Sequence, residues 1–140
     1  MLAQLDHNLD RVDASFVDAV EYTTFESGCK VGWQCNTRFW ESDKYEIYGG
    51  ISWTSAVLDE GPAADISIEQ IWYPSTDYFS QKGTLTGAYI HDKEGNDQAT
   101  RFGQLPISER LAFAKELGAK LHPEFADYSI VPTELGISVA

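Results

Sequence analysis

The sequence predicts an α+β domain, a mixed, largely antiparallel sheet of four to five strands with flanking helices. Two observations lead there. Between residues 30 and 90, stretches rich in β-branched and aromatic residues follow one another, so most strands neighbour the next along the chain. Amphipathic helical periods lie before and after them, at 12–22 and 106–122. At 140 residues the length suits a single domain with a sizeable core.

Each element has its own signal. "VDASFVDAVEY", 12–22, sets Val12, Phe16, Ala19 and Val20 at helical spacing, with Asp13 as N-cap. "KVGWQCNTRFW", 30–40, reads as a strand in which Val31, Trp33, Cys35 and later Phe39 share one parity. "EIYGGISWT", 46–54, is a second strand with Ile47, Ile51 and Trp53 on one side. Its Gly49–Gly50 pair predicts a bulge or a close backbone approach. Gly-Pro and acidic residues mark 55–65 as a loop. "IEQIWYPSTDYF", 68–79, supplies the third strand and "GTLTGAYI", 83–90, the fourth; "HDKEGNDQ" turns the chain away. In "PISERLAFAKELGAKLH", Ile107, Leu111, Ala114, Leu117 and Leu121 fall on one stripe. Glu109 in the first turn, with Lys120 and His122 in the last, suits the helix dipole, and Pro123 stops the helix. The tail "YSIVPTELGISVA" begins a further strand.

The third strand breaks the usual alternation. Ile68, Ile71, Trp72 and Tyr73 are apolar or aromatic on both parities. Such a strand is buried on both sides, or has one face in a core and the other along a pocket. Pro74 ends regular pairing just after the aromatics, leaving Tyr73 at a strand's end.

Charge and composition exclude several roles. Ten Lys+Arg against 22 Asp+Glu give a formal charge of −12, which repels phosphate backbones and anionic lipid. Neither nucleic acid nor a membrane surface is an expected partner. No apolar run has transmembrane length, and "MLAQLDHNLDRVD" lacks a signal-peptide pattern. The compartment stays open, with the cytoplasm favoured. Cys29 and Cys35, on one extended strand, would lie about 20 Å apart at about 3.3 Å per residue. A disulfide needs Cα atoms within roughly 7 Å, so both are expected as free, buried thiols.

Motifs for self-contained chemistry are absent. There is neither a G-x-G-x-x-G nor a Walker loop. His7, His91 and His122 are scattered outside any zinc spacing, so no metal is expected. "DKEGND", 92–97, fails as a calcium loop, because Asp97 stands where Gly is needed and Gly103 where Glu is needed.

The ordered series "CKVGWQCNTRFWE", "YGGISWT", "IEQIWYPS", "GTLTGAY" and "RFGQLPISERLAFAKELGAKLHPEF" resembles the substrate-binding domain of flavin-dependent amine oxidases. Its likeness is greatest to their L-amino-acid-oxidase branch, from about residue 12 onward. The resemblance implies an oxidative deamination of an L-amino acid or amine, giving a 2-oxo acid, ammonia and hydrogen peroxide. It implies FAD, held mainly by segments outside residues 1–140, which would form one partial domain. The partner would be an FAD-binding segment or subunit of the same enzyme, with a homo-oligomer possible. The family's carboxylate-pairing arginine comes from an earlier part of its chain. Many members carry a lysine near the flavin in the helix before the first strand, and "ASFVDAVEY" has none. By resemblance, the substrate-binding residues are Tyr73, donating to the substrate carboxylate from the strand's end, and Trp72. Trp72 would pack in the core on the opposite side, unless Pro74 twists it into the pocket. No catalytic residue is expected in this chain. The alternative reading is a non-catalytic binding module that keeps the substrate-domain fold.

Overall fold

The alternation of "GCKVGWQC" gives the sheet its two faces. In the computed structural model, which describes residues 13–23, 26–74, 76–77 and 79–140, this stretch is strand β1 (Gly28–Cys35). Cys29, Val31, Trp33 and Cys35 point into the core while the residues between them do not. Before it stands helix α1 (Ala14–Tyr22). After it come β2 (Gly50–Trp53), β3 (Gln70–Tyr73), β4 (Gly83–His91), α2 (Gln98–Gln104), α3 (Ile107–Leu121) and β5 (Gly136–Val139). The five strands form one sheet in the order β2-β3-β4-β1-β5. Every neighbouring pair is antiparallel, so the sheet is not mixed. The α+β class holds.

Helices α2 and α3 cover one face. Ala99 and Phe102 of α2, with Leu111, Phe113, Ala114 and Leu117 of α3, join the inward side chains of β1 in one core cluster. The stripe predicted for α3 is buried in its middle, while Ile107 and Leu121 at its ends are exposed. The β1–β4 register slips at Val31/Gly32, where β4 carries Gly87 as an extra residue. A Cβ on Gly87 would lie 2.4 Å from the Trp33 ring. Only a glycine lets the indole pack there, edge-on to Phe125 with ring centroids 5.8 Å apart.

A kink resolves the double parity of the third strand. Glu69 adopts φ +55°, and the Gln70 N–H bonds back to Ile68 O at 2.6 Å. This bend shifts the phase, so Ile68 and Ile71, three residues apart, both reach the core. From Ile71 onward the alternation is regular: Trp72 faces out and Tyr73 faces in.

Several expectations are corrected. Phe39 is buried, but on a 3₁₀ turn (Phe39–Glu41) rather than on the first strand. The second strand is shorter than 46–54: Ile51 and Trp53 do share one side of β2, the exposed one, while Ile47 packs on the core from the preceding loop. Gly49 and Gly50 take φ of 108° and 103° at the entry to β2. The open space around a Cβ built on Gly50 shows that conformation, not crowding, is what β2 needs there. In α1, Asp13 caps as expected, accepting from Ser15 N at 2.8 Å, yet Phe16 and Ala19 are exposed and only Val20 is buried. Val12 lies outside the described residues. Helix α2 was not expected. Both cysteines are free and buried, and burial pushes the Cys35 thiol up to about 12. Among the described residues no helix is long and apolar enough to cross a membrane.

Candidate functional site on the open sheet face

The face turned away from α2 and α3 is built from the outward positions of all five strands. Antiparallel register lines them up in rows. Ile51 pairs with Trp72, Trp72 with Thr86, Thr86 with Gly32, and Gly32 with Ile137. A second row runs through Tyr89, Lys30 and Val139, with Trp53 opposite Gln70 at the β2 edge. The side chains of this face stay open to solvent: Trp72 is 40% exposed, Trp53 69% and Ile137 69%.

The face differs in chemistry from the rest of the molecule. The chain has 22 Asp+Glu, and none falls in the five strands. Lys30 and His91 are the only ionisable side chains other than tyrosine that they bring outward. The Lys30 ammonium lies 4.3 Å above the Tyr89 ring, within reach of a cation–π contact. Tyr89 in turn stands 6.1 Å from the Trp72 ring and 4.1 Å from that of His91. The Trp72 indole N–H donates to Gln70 Oε1 at 2.7 Å, which fixes the ring. Beside this aromatic floor lies a cavity of about 380 Å³ lined by Gly32, Gln34, Pro74, Thr84, Thr86 and Ile137, among others. Gly32 keeps its floor low, since a Cβ there would already sit 3.1 Å from Leu85 O. Apolar walls with a few hydroxyl and amide groups suit a small organic ligand.

Trp72 and Tyr73 do point to opposite sides of their strand, but in the reverse sense. Trp72 lies on the open face, and Tyr73 is in the core, 2% exposed. The Glu69 kink is the cause, because it fixes the phase of the two residues. The Tyr73 hydroxyl bonds Ser52 Oγ at 2.9 Å and contacts His122 Nε2. Burial raises its pKa. No motif in the sequence singles out Lys30, Thr86 or Tyr89. Lys30 has the outward parity of β1, but Thr86 and Tyr89 stand three residues apart, and only the extra residue Gly87 brings both to the open face.

Comparison with known proteins adds one relative. The chain is 29% identical over 118 residues, 83% of its length, to an L-amino-acid oxidase of Neurospora crassa. It spans only 15% of that protein's length. No protein-family profile matches the chain. The likeness supports a distant relationship of the amine-oxidase type.

The described residues do not fit the diphosphate of FAD. A dinucleotide cradle needs free backbone N–H groups at a helix start. The first N–H groups of α2 are taken by Asp92 Oδ1, from Ala99 at 2.7 Å and Thr100 at 3.1 Å. Asp13 caps α1, and α3 opens on Pro106 with Glu109 in its first turn. Carboxylates occupy the starts of α1 and α2, and at α3 the Glu109 and Arg110 N–H groups bond back to Pro106 O.

Proposed function

We propose that this chain forms substrate-pocket walls of an FAD-dependent oxidoreductase that oxidatively deaminates an L-amino acid or amine. The products would be the 2-oxo acid, ammonia and hydrogen peroxide. The observation that carries this reading is the open sheet face: an aromatic floor whose strands contribute no carboxylate, beside a cavity, on a chain of charge −12. The partial identity to an L-amino-acid oxidase supports it. FAD would be held by residues other than those described.

The chain's own part is to bind, orient and exclude water. Trp72, Tyr89 and Ile51 present apolar surface to the substrate side chain and displace solvent from it. Lys30 supplies a cation that holds a polar group over the floor. Tyr73 would reach the substrate carboxylate only by exchanging Ser52 and His122 for it. We therefore place the direct contact on Trp72, with Tyr73 holding the strand from behind.

The test is a chimera in which this chain replaces the matching segment of the Neurospora crassa oxidase. The expected result is a flavin-loaded protein that makes hydrogen peroxide from an L-amino acid. Trp72→Ala should then lower kcat/KM by about 10- to 100-fold, since a large aromatic wall contributes roughly 1.5–3 kcal/mol. Tyr73→Phe should affect an amino acid and its decarboxylated analogue alike; a loss confined to the amino acid would return the carboxylate contact to Tyr73. A folded, flavin-loaded chimera inert toward every L-amino acid and amine would overturn the reading.

A further inference from the structure

Directly beneath the open face lies a buried imidazole that the proposed pocket does not use. His122 follows α3, its backbone N–H bonded to Gly118 O at 2.8 Å, and is 3% exposed. Rings surround it: Tyr45 at 4.6 Å, Phe39 at 5.6 Å, Tyr73 at 5.7 Å and Phe125 at 6.4 Å between centroids. The Tyr73 hydroxyl, which bonds Ser52 Oγ, also shares a hydrogen bond with His122 Nε2. A chain of three side chains thus joins the end of α3 to β3 and on to the edge strand β2. The other ring nitrogen, Nδ1, is buried without a hydrogen-bond partner.

The ionisable groups around the ring are few. Glu124 and Lys44 act on it from the outside, while Tyr45 and Tyr73 are phenols whose burial keeps them neutral. Both oxygens of Glu124 are already engaged, one with Lys44 at 3.0 Å and one with the Tyr45 hydroxyl at 2.7 Å. In the imidazolium both ring nitrogens carry a proton: Nδ1–H would have no acceptor, Nε2 could no longer accept from the Tyr73 hydroxyl, and the charge would sit in an apolar box.

We propose that His122 is an acid-sensitive latch: neutral, it holds Tyr73 and the edge strand β2 to the end of α3; protonated, it lets them go. Its position gives the latch a route to the open face. Trp72 is the next residue to Tyr73 and pairs with Ile51 on β2, so whatever loosens β2 from β3 disturbs the aromatic floor. Burial holds the imidazole below its ordinary value of 6.5. The folded chain then binds fewer protons than the unfolded chain below about pH 6.5. The stability contributed by the neutral ring is therefore complete above that pH and is lost as pH falls toward the folded value.

The test is amide hydrogen exchange across the β2–β3 pairs from about pH 7.5 to pH 5, corrected for intrinsic rates, with the imidazoles followed by NMR. Protection at Ser52 and Ile71 should fall by up to about tenfold per pH unit below about 6.5, while β1–β4 amides keep theirs. His122→Phe, which fills the box, and His122→Gln, which keeps a donor without titrating, should each abolish the dependence. If one variant fails to fold, the other still decides. A flat wild-type profile, equal loss across the whole sheet, or the same dependence in a folded variant would overturn the latch. So would a His122 imidazole that titrates at or above the ordinary value of 6.5.

Discussion

The backbone of Glu69 turns through φ +55°, a region that a side chain with a Cβ enters only when its surroundings hold it there. They do so through the carboxylate. Oε1 accepts from Lys93 and from Gln98 Nε2, and Oε2 lies 3.5 Å from His91 Nδ1. Burial pushes this carboxyl up, but the bonds from Lys93 and Gln98 outweigh it and hold the pKa below the usual value. The lowered value implies stability that is present above about pH 4.5 and lost as pH falls through the folded value. Glu69→Gln should therefore cost about 1–3 kcal/mol in urea unfolding at neutral pH. That gap should close under acid, and an equal gap at every pH would assign the cost to packing alone. Residue identity made the Trp72–Tyr73 pair conspicuous in the sequence. Which of the two would face the core depended on the turn at Glu69, which periodicity does not encode.

At the scale of elements, legibility followed burial contrast. Helix α3 could be read because its apolar stripe is regular; β1 could be read because Val31, Trp33 and Cys35 alternate cleanly. Helix α2 was missed. Its seven residues include Gly103 and its cap comes from Asp92, far outside the usual N-cap position. Strand β2 occupies only the end of the 46–54 stretch, because Gly49 and Gly50 at positive φ turn the chain before it, and parity alone left open which face Ile51 and Trp53 take. The β1–β4 pair also contains the most exacting packing contact. Gly87→Ala would drive a methyl to within 2.4 Å of the Trp33 ring. The indole has no free space to retreat into, with Phe125 edge-on to it. The expected loss is about 1–3 kcal/mol, read as a lower thermal midpoint together with a changed near-ultraviolet signal from the tryptophan. A fully wild-type spectrum and midpoint would mean that the bulge can shift to take the methyl.

For the molecule as a whole, the acidic side chains among the described residues lie on helices and connections, and the sheet strands carry none. The net charge read from the sequence was correct, but its absence from one face was not legible, because parity alone does not tell which face helices will cover. That face and the short uncharged edges β2 and β5 should draw copies of the chain together. Sedimentation at rising concentration is expected to show association, and Trp53→Lys with Ile137→Lys should disperse it. A monomer that binds no hydrophobic dye would count against this. The two cysteines carry a different consequence. Cys29, bonded to Ala99 O at 3.1 Å, sits under α2, and Cys35 lies at the opposite end of the same strand near Lys115. Burial raises both thiols, so almost no reactive thiolate exists while the sheet is closed. Each thiol is therefore a native clock for its own end of β1, and an alkylating reagent can time the departure of the helices without any probe being added to the chain.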